Sequence, residues 1–142
     1  CGAGISEAYV IDGDVIDFYF ADTASLAKAT AFTRIDSASY SSSGSTLNLE
    51  ISSSYSYFRN SDYYWIIDDF YGLDTTSVSV KINNSTYTGT TDEYGELTIR
   101  NITLSPGTYT VELLPTFKSY TVSGTTYGMP TRTGAVYTLS AS

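Results

Sequence analysis

Two clusters of carboxylates have the residue types and spacing for chemistry: Asp12, Asp14 and Asp17 in IDGDVID, and Asp68, Asp69 and Asp74 in IIDDFYGLD. Paired carboxylates serve as acid and base in glycoside hydrolysis, and their oxygens suit calcium. Neither cluster has the twelve-residue spacing of a helix-loop-helix calcium loop. The competing reading, that these Asp residues open turns and keep strand edges soluble, is the expected one. No cofactor is implied, and calcium is the metal the donors would suit if one were bound.

The inventory removes most other catalysts. The sequence has no His and its one thiol is Cys1. Ser-His-Asp and Cys-His nucleophiles, His-bearing zinc sites and HExxH metalloprotease chemistry all lack a necessary part. No catalytic residue is assigned, and the chain is not expected to be an enzyme.

Modification sites are easier to find. Asn83-Asn84-Ser85, Asn84-Ser85-Thr86 and Asn101-Ile102-Thr103 are glycosylation triplets, so Asn83, Asn84 and Asn101 are candidate glycan carriers if the chain is exported. Such triplets also arise by chance in a chain rich in Ser and Thr. Cys1 stands first with no Met ahead of it, which reads as a mature end left by leader removal. The CGAG start resembles the lipid-modified end of bacterial lipoproteins, and the alternative is a free or intermolecularly paired thiol.

Composition constrains the partners. Seven Lys and Arg against fifteen Asp and Glu leave a net charge of -8. Scattered cations cannot form a phosphate-tracking groove, so nucleic acid is not an expected partner. No apolar run approaches the roughly 18 residues of a membrane helix, so no transmembrane segment is expected. Fourteen Tyr, with about three residues in ten Ser or Thr, make a surface that hydrogen-bonds without charge. That bias is commoner in secreted, often glycosylated proteins, so an extracellular, cell-surface location is expected.

These groups must be positioned by strands. In residues 45 to 58, Leu47, Leu49, Ile51, Tyr55 and Tyr57 alternate with Asn48, Glu50, Ser52, Ser54 and Ser56, a strand with one wet face. The period recurs at Val78, Val80 and Ile82, and at Leu97 and Ile99. YYWII, residues 63 to 67, is apolar on both faces, with Trp65 a core anchor. Only TASLAKATAF, residues 23 to 32, has a helical pattern, and residues 36 to 45 read as a flexible Ser-rich loop. Turn signals at Asp12-Gly13, the SSSGS run at 41 to 45, Tyr71-Gly72, Tyr94-Gly95, Pro106-Gly107 and Ser123-Gly124 separate the strands. The fold class expected is all-β, an antiparallel β-sandwich. With 142 residues it fits one domain over 12-142, preceded by a tail over 1-11.

The segment TDEYGELTIRNITLSPGTYTVELL then points to a family. Thr91, Asp92, Gly95, Leu97, Ile99, Asn101, Leu104, Pro106, Gly107, Tyr109 and Val111 match the run of carboxypeptidase-regulatory-like and other prealbumin-like sandwich domains. The resemblance covers residues 76-124 and implies a sandwich of the immunoglobulin-like or prealbumin-like type. Two extra residues between Asn101 and Gly107 imply a wider turn before Pro106. Some relatives weld Lys to Asn through an isopeptide bond assisted by a core-facing Glu. Here that position is Leu113 and Glu112 should face solvent, so no crosslink is expected at Lys81 or Lys118.

The tail has its own pattern. Ile5, Tyr9 and Ile11 form one stripe, Ala8 and Val10 the other side, and Gly2 and Gly4 precede them. After a break at Asp12-Gly13-Asp14, Ile16, Phe18 and Phe20 continue an apolar face. One reading makes residues 5 to 20 the first hairpin of the chain's own sandwich. The other is β-augmentation, in which Ile5, Ala8, Tyr9, Val10 and Ile11 form a donor strand completing a neighbouring copy's sheet. In this and in its Tyr, Ser and Thr bias the chain resembles subunits of archaeal thread-like and bundling pili built by donor-strand exchange. That likeness implies a head-to-tail homopolymer, with glycans or other surface proteins as further partners. The alternatives are a monomeric adhesive or carbohydrate-binding module and, third, a small glycosidase using Asp14 or Asp68.

Overall fold

The computed structural model describes residues 31–59, 64–67 and 69–142. Cys1, the expected donor strand, the cluster Asp12, Asp14 and Asp17, and Asp68 lie outside them.

The described residues are strands and turns. In order they are β1 (Ala31–Ser41), β2 (Thr46–Arg59), β3 (Tyr64–Ile67), β4 (Tyr71–Gly72), β5 (Ser77–Ile82), β6 (Ser85–Thr90), β7 (Glu96–Arg100), β8 (Gly107–Leu113), β9 (Thr116–Val122), β10 (Thr125–Arg132) and β11 (Ala135–Ala141). One sheet is built on β2, which pairs β1 along one side and β7, β4 and β3 in succession along the other. The β9-β10 hairpin joins this sheet at the start of β1 through one parallel bridge, Ala31 to Arg132. The second sheet runs β11-β8-β5-β6, antiparallel throughout.

Set β3, β4, β9 and β10 aside and seven strands remain, β7-β2-β1 against β11-β8-β5-β6. Hairpins join β1 to β2 and β5 to β6, whereas the chain changes sheet between β2 and β5, β6 and β7, and β7 and β8. This is the Greek-key wiring of an immunoglobulin-type sandwich, with β6 a fourth strand beside the three of one sheet. The sandwich expected from the sequence is the one observed.

Its core follows from the period of two. Leu47, Leu49 and Ile51 of β2, Val78, Val80 and Ile82 of β5, Leu97 and Ile99 of β7, and Val111 and Leu113 of β8 all point into one buried cluster. Their neighbours in sequence are Asn, Glu, Ser, Thr, Lys and Arg, which face outward, so a slip of one residue in any strand would bury polar groups.

Local turns obey the residues present. Ser123 and Gly124 both have positive φ, 50° and 79°, the backbone a two-residue hairpin needs. The segment 91 to 96 is a tight reversal. Asp92 Oδ1 accepts from the N–H of Tyr94 and of Glu96, each at 2.9 Å. Gly95 has φ 86°, and a Cβ there would overlap the carbonyl oxygen of Ile51. Buried Thr91 ties this reversal to the segment between β4 and β5, donating from Oγ1 to Leu73 O at 2.5 Å and accepting from Thr76 N at 3.0 Å. The Thr-Asp-x-x-Gly run is therefore a device that lets two stretches of backbone meet on β2.

Three expectations change. The Ser-rich stretch 36 to 45 is strand as far as Ser41, and only the four residues after it turn. Ser37, Ser39 and Ser41 lie on the outer side of β1, while Ala38 and Tyr40 pack against the core. Tyr71-Gly72 pairs with Ser53 and Ser52 as the short strand β4, because a residue without a Cβ lets the Tyr94 carbonyl lie against it. Ala31 and Phe32, the end of the helix-patterned stretch, begin β1.

The longer passage before Pro106 is used structurally. Ile102 is buried and its N–H donates to Ser45 O at 3.0 Å. The Tyr40 hydroxyl donates to Ile102 O and accepts from Leu104 N, both at 3.1 Å, clamping the crossover to β1.

Candidate functional site

Of the candidate carboxylates, Asp69 and Asp74 lie among the described residues. Asp69 and Asp74 are exposed, and Asp74 Oδ1 accepts from the neighbouring Thr75 hydroxyl at 2.6 Å, as a turn residue does. Among the described residues no three Cys, Asp or Glu side chains gather as metal ligands would. Leu113 is fully buried at the position where isopeptide-forming relatives would need their acid, and Glu112 stands on the outer face opposite Lys81.

The candidate glycan carriers sit on exposed turns. Asn83, with φ 54°, and Asn84 form the tip between β5 and β6. Asn101 ends β7 with φ 62°. Asn tolerates this left-handed backbone better than other residues with a Cβ, so each has a structural reason to be Asn whether or not it carries sugar.

Two outer faces differ in chemistry. On the β11-β8-β5-β6 sheet, Thr138 stands opposite Thr110, Ser140 opposite Thr108, and Ser79 opposite Thr88, a hydroxyl surface crossed by the Lys81 and Glu112 pair. On the other sheet Glu50 stands directly opposite Glu96, with Ser37 Oγ donating to Glu50 Oε2 at 2.8 Å. Arg34 roofs the same sheet further along: its Nε donates to Ser52 Oγ at 3.0 Å and its guanidinium lies 4.3 Å from the Phe70 ring centre. Beside it Phe32, Thr33, Phe70, Thr133 and Val136 line a shallow cleft of about 500 Å³.

Exposed aromatics stand on two parts of the surface that sequence reading did not single out. Tyr71 and Tyr94 are 64% and 73% exposed, carried on the backbone junction at Gly72. Phe117 and Tyr127 project from opposite faces of the β9-β10 hairpin. The available signal was the pairing of Tyr with Gly at both 71-72 and 94-95.

The lateral strands complete the picture. At one margin β1 lies beside β11: the Thr33 hydroxyl donates to Thr133 O, Thr33 N to Thr133 Oγ1 at 3.1 Å, and Thr133 N to Ala31 O at 2.9 Å. At the other margin β6 lies beside β7, and among the described residues β6 pairs only with β5. These features define an immunoglobulin-type sandwich whose notable surfaces are hydroxyl-rich faces, exposed Asn turns and open edges. Comparison with protein-family models, curated proteins and solved structures yields no match.

Proposed function

We propose that this chain is a structural subunit of an extracellular, pilus-like filament that polymerises head to tail by donating residues 5 to 11 to the sheet of a neighbouring copy. The observation that carries the reading is an open, uncharged sheet edge at β6 in a chain whose N-terminal stretch has strand periodicity. Main-chain hydrogen bonds would supply the adhesion, with apolar side chains setting register. A hydroxyl-rich surface with glycan-bearing turns suits a polymer that must stay soluble outside the cell, and the mechanism needs no catalyst. Kinship with the carboxypeptidase-regulatory-like sandwiches belongs to the same proposal, supported by the structural use made of Thr91, Asp92 and Gly95.

Electron microscopy and sedimentation of the full chain test it, alongside a chain lacking residues 1 to 11. Filaments that vanish on truncation, leaving a soluble but less stable domain, are expected. Filaments from the truncated chain would overturn the donor assignment, and a full chain that stays monomeric would overturn the filament.

A second reading is a monomeric adhesive or carbohydrate-binding module. Tyr71 and Tyr94, exposed on a rigid backbone junction, favour it, because fixed aromatic faces stack on sugar rings at little entropic cost. Retention of polysaccharide by a monomer, lost in Tyr71→Ala and Tyr94→Ala, would select this reading over the filament.

A further inference from the structure

Among the described lateral strands, β6 lacks the devices that stop a sheet edge from pairing. On β1 a bulge interrupts the ladder between Ile35 and Ser37, and Arg34 forms an ion pair there with Asp36. On β7 Glu96 and Arg100 charge both ends of a five-residue strand. On β9 Lys118 does the same work, and β11, itself uncharged, has β1 lying beside it, with the start of β1 bonded to Thr133 just ahead of β11. By contrast β6 reads STYTGT, without charge or proline, in unbroken register with β5 from Ser85 to Thr90.

The ladder also says which backbone groups are open. The two-residue turn makes Ile82 and Ser85 the first hydrogen-bonded pair, so alternate pairs, Lys81 with Thr86, Ser79 with Thr88 and Ser77 with Thr90, are not bonded to each other. The Ser79 and Thr88 hydroxyls meet at 3.2 Å, as side chains of a close, non-bonded pair should. The N–H and C=O of Thr86, Thr88 and Thr90 therefore point away from β5, three donors and three acceptors in a row.

We infer that β6 is the acceptor edge and that its occupant is the segment Ile5 to Ile11 of a second copy. The inference rests on the filament reading above and assigns the site that reading requires. Seven residues of donor match six of acceptor. The stripe Ile5, Tyr9 and Ile11 would extend the apolar side of the sheet next to half-buried Tyr87. The described chain begins at β1, on the margin opposite β6, across a four-stranded sheet roughly 14 Å wide at the usual strand spacing. Donor segment and acceptor edge are different surfaces of the chain, so the contact is heterologous and each subunit added to an open chain exposes a fresh acceptor.

Thr88→Pro in the full chain tests the assignment, because it removes an outward N–H without touching a bond to β5. Thr86→Lys with Thr88→Lys is the second variant, should the proline disturb folding. The expected result is loss of sedimenting polymer from chains that keep the wild-type melting temperature. Polymer from the folded lysine variant, when deletion of residues 1 to 11 abolishes it, would overturn the β6 assignment and leave the donor reading standing. A wild-type chain that never polymerises would overturn both. Trapping settles the partner: in a Cys1→Ser background, tagged Ala8→Cys chains, substituted on the donor face that shares the outer side with Thr88, mixed with untagged Thr88→Cys chains should form a disulfide between copies. A bond formed only within doubly substituted chains would place the segment on its own β6 and overturn the proposal.

Discussion

Gly89 of β6 and Leu97 of β7 touch across the margin of the sandwich, so closely that a Cβ on the glycine would stand 2.5 Å from Leu97 Cδ1. Alanine ordinarily strengthens a strand relative to glycine, but here it must displace a leucine that is 3% exposed and hemmed in by the core. Gly89→Ala should therefore destabilise the domain by about 1–3 kcal/mol, the usual cost of overpacking. Denaturant melts of Gly89→Ala with and without Leu97→Val check it. The double variant should recover part of the loss, and equal losses in both would rule out the steric cause.

Thr91 makes a sharper case, because its hydroxyl serves two backbone groups in a buried site. Thr91→Val keeps shape and removes both bonds, leaving Thr76 N–H and Leu73 C=O short of a partner. The expected loss is about 1–3 kcal/mol for each of the two groups left unpaired. Thr91→Ser keeps the hydroxyl and should lose less. Urea denaturation of the pair decides, and a serine variant as unstable as the valine one would shift the cause to the methyl group.

The facing carboxylates Glu50 and Glu96 oppose folding. Like charges directly across a ladder destabilise by about 0.2–1 kcal/mol, so Glu96→Lys should stabilise by an amount of that order. Added salt should raise the wild-type melting temperature more than that of the variant, since screening relieves repulsion and weakens attraction. Calorimetry at low and high salt reads both effects.

How much of this was legible in the sequence divides along physical lines. Leu47, Leu49, Ile51, Val80, Ile82, Leu97, Ile99 and Leu113 are all buried, as period-two patterning requires, because each strand has one covering sheet. The pattern misled where that condition lapses. Tyr55 continues the apolar stripe of β2 yet is 39% exposed, while Ser52, Ser53 and Ser54 are buried. There β2 runs on past β7 to pair with β4, and Arg34 with Phe70 covers Ser52 from the outside. The Ser-rich stretch looked like a loop because hydroxyls on the outer side of an edge strand have the composition of one. Its register shows only in pairs such as Ala38 with Leu49 and Tyr40 with Leu47, which lie on different strands. The open edge at β6 is harder still, for an edge is defined by the absence of a neighbour, and that depends on the wiring of the whole sandwich.

Asn101 separates a structural asparagine from a glycosylated one. Its φ of 62° favours Gly or Asn, so Asn101→Gln should cost about 1 kcal/mol of backbone strain while Asn101→Gly leaves stability nearly unchanged. Both remove the glycosylation triplet, as does Thr103→Ala at an exposed position that keeps the asparagine. If Asn101 carries glycan in the native organism, intact mass spectrometry should show the same mass loss in all three variants, whatever their stability. A stability order of Gly above Gln with no change in glycan mass would mean that the backbone alone selects the residue. The same logic applies at Asn83, whose φ is 54° at the tip beside β6. There Asn83→Gly should keep the hairpin and its open edge, so a glycan lost at that tip would be read without disturbing the strand.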